Sequence, residues 1–261
     1  MKGNLISRIC NLIERTRWLS PYVGGMWPSL SFLLAASRDP EVLCRGTFAA
    51  SDMFFRGADI MALKEVMVDA DYECVLSRLR HAESPVVLDI GAHIGLFSLW
   101  LLKQCPRARI RSVEADPRTY GVLSQNVNRR RAVGALWDAC NAAAWGESRG
   151  GLRFSVEGPS MSHKVSNQGD VVVEALSLRR LLDEAVGPNG MVDLMKVDIE
   201  GSEEAFLCAD EVLLRRVRSI VIELHPQLCD AMRVERLLRS TYASVEDVKD
   251  RSSSKPLLLC Y

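Results

Sequence analysis

Three stretches of this chain gather side chains able to do chemistry at the ends of apolar runs. They are VVLDIGAHIGLF from Val86 to Phe97, MKVDIEGSEE from Met195 to Glu204, and IVIELHP from Ile220 to Pro226. In the first, a short apolar run ends in Asp89 and turns through Gly91, Ala92, His93 and Gly95 into a helical pattern. Glycines let backbone amides approach a ligand, and the acid balances polar or positive groups on it, which points to a nucleotide-like cofactor. Asp-x-Gly-x-x-x-Gly differs from the Gly-x-Gly-x-x-Gly spacing of dinucleotide sites. Glu114 follows Asp89 by 25 residues at the end of another apolar run. An acid there suits a two-pronged grip on ribose hydroxyls. Residues two apart on a strand face one way, so Lys196, Asp198 and Glu200 share a side if the chain stays extended. Glu223 and His225 are again two apart. Acids and a histidine gathered together are costly to bury without partners or a purpose. Lys196 is expected to pair internally with Glu223 or Glu200.

These groups need elements that bring strand ends together, and the rest of the chain reads that way. Residues 61–79 predict one or two helices. Main strands are expected at 85–90, 108–114, 135–142, 191–197 and 219–224, with helices at 94–104, 116–128, 177–185 and 203–217. Additional β segments at 151–156 and 171–174 flank a polar loop from Glu157 to Asp170. That loop contains His163 and reads either as a mobile lid or as a long surface connection. A helix at 227–238 and two β runs at 243–248 and 256–261 close the pattern. Asp116 before Pro117 is a helix-start signal. Such alternation predicts an α/β fold whose mostly parallel sheet is covered on both faces, with a C-terminal antiparallel hairpin at one edge. Ligands in these sheets bind at the C-terminal strand ends, near the point where strand order reverses.

Lysine plus arginine equals aspartate plus glutamate, 33 each, so no basic surplus exists to neutralise phosphates and nucleic acid is not an expected partner. Eight cysteines occur with no Cys-x-x-Cys pair, which reads as reduced core thiols of a cytoplasmic protein; neither zinc nor another metal is expected. Residues 6–18 have helical spacing, and the apolar run at 22–36 is broken by Gly24, Gly25 and Pro28. That run is shorter than the ~20 residues a membrane span needs. A helix packed on the main domain is the expectation, with peripheral membrane contact as the alternative.

The chain resembles the FkbM-type S-adenosylmethionine-dependent methyltransferases. The resemblance rests on VVLDIGAHIGLFSL, RSVEADPRTYGVLSQNV, VDLMKVDIEGSEEAFL and IVIELHP, in that order, with FFRGADIMALKEVMVDADYE as a lead-in, and covers about residues 54 to 226. It implies a Rossmann-like class I methyltransferase fold that binds S-adenosylmethionine within residues 81–261. Residues 1–80 are expected to form a mainly helical extension, a candidate cover for the acceptor site. By resemblance, Asp89, Gly91 and Gly95 line the methionine and sulfonium end, with Ala92 and His93 beside the cofactor. Glu114 holds the ribose, and Asp116 or Asn141–Ala142 lies near the adenine. Two positions depart from the family pattern: His93 stands where asparagine is frequent, and Leu178–Arg179 replaces a Leu-Asp pair.

Methyl transfer from a sulfonium needs alignment and exclusion of water, and a hydroxyl acceptor must lose its proton. Asp198 or His225 is the expected base, with Glu200 and Glu223 orienting it or holding the acceptor. His225 precedes Pro226 and alternatively caps the next helix. The implied acceptor is a hydroxyl of a sugar, a glycan or a secondary metabolite. Its pocket is shaped by residues 1–80 and the 157–170 loop. The rival readings are a catalytically inactive relative that keeps the cofactor fold, and a nicotinamide-dependent oxidoreductase. The latter requires Gly-x-Gly-x-x-Gly and a tyrosine–lysine pair, which this chain lacks.

Overall fold

The computed structural model describes residues 5–155, 164–165, 171–249 and 254–261. Two helices open it, α1 (Leu5–Val23) and α2 (Met26–Ala36), followed by a hairpin of β1 (Leu43–Phe48) and β2 (Ser51–Arg56). Then come α3 (Ile60–Met67), α4 (Leu76–Leu79), β3 (Val86–Ile90), α5 (Leu96–Gln104), β4 (Arg109–Glu114), α6 (Pro117–Arg131) and β5 (Leu136–Ala144). The next elements are β6 (Arg149–Ser155), β7 (Lys164–Val165), β8 (Val171–Leu176), α7 (Leu178–Val186), β9 (Leu194–Val197) and α8 (Glu203–Leu207). The last are β10 (Ile220–Glu223), α9 (Ala231–Thr241), β11 (Val245–Asp247) and β12 (Leu257–Cys260).

Among the described residues the main sheet has the order β11-β12-β10-β9-β3-β4-β5-β8-β6-β7. Strands β10, β9, β3, β4, β5 and β8 run parallel, while β12 pairs antiparallel with both β10 and β11. Chain order reverses at β3, flanked by β4 on one side and β9 on the other, so a crevice opens at their C-terminal ends. All four residues of β9 are buried, as in a parallel strand covered on both faces. On one face, α5 and α6 pack with Leu19, Phe32, Phe55 and Leu63 in one continuous apolar cluster. On the other, Leu181, Phe206 and Leu238 close over Met195 and Ile222.

The extension is mainly helical, as expected, and also carries the β1–β2 hairpin at residues 43–56, which was not foreseen. Its turn, Ala49–Ala50, takes positive φ at both residues (50° and 59°), a conformation usually marked by Asn-Gly, so no turn signal was readable. Polar clamps dock the hairpin. Asn126 accepts the Phe54 amide at 2.7 Å and donates to the carbonyls of Phe54 and Ile94, and Arg130 donates to the Phe48 carbonyl at 2.8 Å. The single helix expected over 203–217 is broken. Chain after α8 extends at Asp210 (φ −145°), whose carboxylate pairs with Arg179, and resumes as a 3₁₀ helix at Glu211–Arg216. All eight cysteines are free thiols, and no described helix is long and apolar enough to cross a membrane. The polar loop from Glu157 to Asp170, with His163, lies outside the described residues apart from the backbone of β7.

Candidate active site

The turn after β3 is folded back on the neighbouring strand ends. The amides of Gly91 and Ala92 both donate to the Val113 carbonyl, at 3.0 and 2.9 Å. Gly91 has φ +72°, and a Cβ there would sit 1.7 Å from the Asp198 carbonyl oxygen. Gly95 has φ +85°, and its missing Cβ leaves room for the rings and methyls of Trp137 and Leu123. Both glycines therefore make space for protein. Gly91 borders the crevice, while Gly95 faces the core.

Glu114 ends β4 in the crevice wall. Its Oε2 accepts the His93 amide and its Oε1 the Asp116 amide, both at 2.8 Å. Burial raises its carboxyl to about 7 despite the His93 charge and these amide donors. Each oxygen keeps a lone pair for a further donor. Asp116 is buried and caps α6, accepting the Arg118 amide and the Thr119 hydroxyl. Asn141 donates to the carbonyls of Glu114 and Ala115 and so holds that strand end in place. Asp89 is fully buried, accepts from the Ser98 hydroxyl at 2.7 Å and lies 3.6 Å from the Lys196 ammonium. Of the residues expected to touch a cofactor, Gly91, Ala92, His93, Glu114 and Ala142 line the crevice. Asp89, Gly95, Asp116 and Asn141 stand behind it as supports.

Asp198, Glu200 and Glu223 line the other side of the same crevice. Glu200 arrives there by a route other than strand alternation: β9 ends at Val197, and Glu200 sits in a left-handed turn at φ 48°. The expected partner of Lys196 is also corrected. Its ammonium donates to the Gly91 carbonyl at 2.6 Å and lies within 3.6–3.7 Å of Asp89 and Asp198, not against Glu200 or Glu223. Instead Lys255 reaches Glu200 at 2.8 Å and Glu223 at 3.5 Å, and Lys249 reaches Asp71 at 2.8 Å.

His225 is buried behind these acids and does not itself line the crevice. Its Nδ1 lies 2.7 Å from Glu203, and its Nε2 lies 3.2, 3.6 and 3.9 Å from Glu200, Glu223 and Asp198. Burial would lower its pKa, but the carboxylates of Glu200, Glu203 and Glu223 outweigh that and raise it to about 11. An imidazole held protonated in this way is no general base near neutral pH. Nor does it cap the next helix, because Asp230 fills that role with the Arg233 amide.

The crevice is open to solvent, and its space including the mouth amounts to about 1050 Å³. The extension supplies part of its wall through Glu65, Asp71 and Tyr72. Asp59, also from the extension, is fully buried, accepts from the Arg56 guanidinium and amide, and lies 3.2 Å from Nε2 of His93. Burial would raise its carboxyl, yet His93 and Arg56 together hold it down at about 2. Asp59, Asp71 and Glu203 were not singled out from the sequence. The lead-in FFRGAD was the one signal available for the first.

Known proteins similar to this chain are methyltransferases and one synthetase. The model of the "Methyltransferase FkbM domain" matches residues 89–243. Hexuronic acid methyltransferase AglP of Haloferax volcanii is 27% identical, over 82% of this chain and 86% of its own length. AMB antimetabolite synthetase AmbE of Pseudomonas aeruginosa is 31% identical over 54% of this chain, which spans only 8% of that protein. The crystal structure of methyltransferase FkbM from Methylobacillus flagellatus shares the fold, with TM-score 0.52 at 14% identity, covering 98% of this chain and 60% of that one. The chain belongs to the FkbM methyltransferase family.

Proposed function

We propose that this chain transfers a methyl group from S-adenosylmethionine to a hydroxyl of a sugar or a related polyhydroxylated metabolite. The observation that carries the reading is the single crevice at the β3, β4, β9 and β10 ends. A glycine turn and Glu114 form one wall, and Asp198, Glu200 and Glu223 form the other. The residues fit a nucleoside cofactor: each Glu114 oxygen accepts one backbone amide and keeps capacity for a ribose hydroxyl. When bound there, the cofactor supplies an electrophilic methyl group. Gly91, Ala92 and His93 border it, and Ala142 lies at the adenine side.

Asp198 takes the proton of the acceptor hydroxyl as that oxygen is methylated. Glu200 and Glu223 hold neighbouring hydroxyls, which carboxylates accept well. His225 positions Glu200 and does not act as the base. The extension covers the acceptor side through Glu65, Asp71 and Tyr72. The sugar class is supported by the hexuronic acid methyltransferase that is similar along most of its length.

Titration calorimetry with S-adenosylmethionine and with NAD tests the donor. Binding of the first alone, lost in Glu114→Ala, supports the reading, and NAD binding sinks it. A screen of uronic acids and neutral sugars, read by mass spectrometry for added methyl, tests the acceptor.

A further inference from the structure

We propose that Asp198, Glu200 and His225 form a binding site for a divalent transition cation of the manganese or zinc type in the wall of the crevice. One ligand atom from each lies within 4.8 Å of the others. The telling group is Nε2 of His225. It is buried, faces Glu200 Oε2 at 3.2 Å and Asp198 Oδ1 at 3.9 Å, and makes no well-directed hydrogen bond to any described residue. Charged hydrogen bonds between nitrogen and carboxylate run at about 2.7–2.9 Å and are directional. Atoms sharing an ion through bonds of about 2.1 Å stand roughly 3 to 4.2 Å apart. The 3.2 and 3.9 Å separations of Nε2 from Glu200 and Asp198 fall within that range.

The surroundings fit the same reading. Glu203, itself fully buried, lies 2.7 Å from Nδ1 of His225 and accepts the Gly201 amide and the Cys229 thiol. A carboxylate behind a metal-binding histidine fixes the ring so that its other nitrogen points into the site, and on binding the cation takes the place of the Nε2 proton, which is released. Lys255 engages Glu200 through Oε1, so Oε2 is the oxygen turned toward His225. The left-handed backbone at Glu200, φ 48°, brings that side chain in, and such conformations cluster at ligand sites. An imidazole nitrogen among carboxylates favours manganese, iron or zinc over magnesium or calcium, which prefer oxygen alone. The role of the site rests on the methyl-transfer reading, although its existence does not. A cation there takes the acceptor oxygen as a further ligand and eases loss of its proton, and Asp198 keeps Oδ2 to receive it.

The test is titration of the purified chain with Mn²⁺, following loss of the free-ion paramagnetic resonance signal, beside calorimetry with S-adenosylhomocysteine. One bound Mn²⁺ per chain is expected, weakened at least about tenfold in Glu200→Gln and in Asp198→Asn, with S-adenosylhomocysteine affinity kept within about twofold. His225→Gln should show the same loss, and the two acid variants keep the test open if that one fails to fold. A chain that binds S-adenosylhomocysteine but neither Mn²⁺ nor Zn²⁺ up to roughly millimolar concentration overturns the proposal. So does Mn²⁺ binding that ignores both acid variants; the charge is then balanced by Lys255 and a protonated His225. Stoichiometric Mn²⁺ binding without S-adenosylhomocysteine binding upholds the site and removes the cofactor reading instead.

Discussion

Glu114 carries the clearest pH signature of any single residue. Its carboxyl stands at about 7 in the ligand-free chain, because burial disfavours the charge. The contribution of a raised carboxyl to stability is present below its ordinary value of 4.5 and is lost as pH rises through about 7. Ribose hydroxyls donate, so they bind the anion better than the acid. Affinity for S-adenosylhomocysteine should therefore be level above about pH 8 and fall by up to roughly tenfold per pH unit below about 7. Calorimetry across that range checks this, and Glu114→Gln should bind weakly with a level profile. A wild-type profile without slope would show that Glu114 does not meet the ligand.

At the scale of elements, the β3 turn and the end of β9 are built against each other. An alanine at Gly91 needs both a positive φ and space already held by the Asp198 carbonyl. Gly91→Ala should lose about 3 kcal/mol or more of stability, read as a lowered urea midpoint, and displace Asp198 with it. Asp89, Glu114, Asp198 and Glu223 were legible because an acid ending an apolar run is a local signal in a parallel sheet. Asp59 and Glu203 were not, since their partners His93 and His225 lie 34 and 22 residues away and only the fold makes them neighbours. Lys196 was misassigned for a related reason. Its register beside Asp89 on β3 depends on the strand order, with Asp89 paired to Lys196 across the sheet. The hairpin at 43–56 stayed hidden because alanines make its turn.

For the whole molecule, Arg56, Asp59 and His93 tie the extension to the crevice wall built by the β3 turn. Asp59 is depressed to about 2 from its ordinary 3.8. Its contribution is thus present above pH 3.8 and lost as pH falls through about 2. Asp59→Asn should cost about 2 kcal/mol near neutral pH, and the gap from wild type should shrink toward pH 3 in urea titrations. A gap independent of pH would assign the loss to packing.

The position of β12 has a consequence for biosynthesis. This buried strand sits between β10 and β11, and its preceding turn delivers Lys255 to Glu200 and Glu223. A chain emerging from the ribosome has made every other described strand of the sheet before residues 257–260 appear. Until then the β10 edge is unpaired and Glu200 and Glu223 lack the Lys255 ammonium. The crevice wall at β10 is thus completed after translation has passed residue 260, and a nascent chain stalled short of it offers an open sheet edge to chaperones.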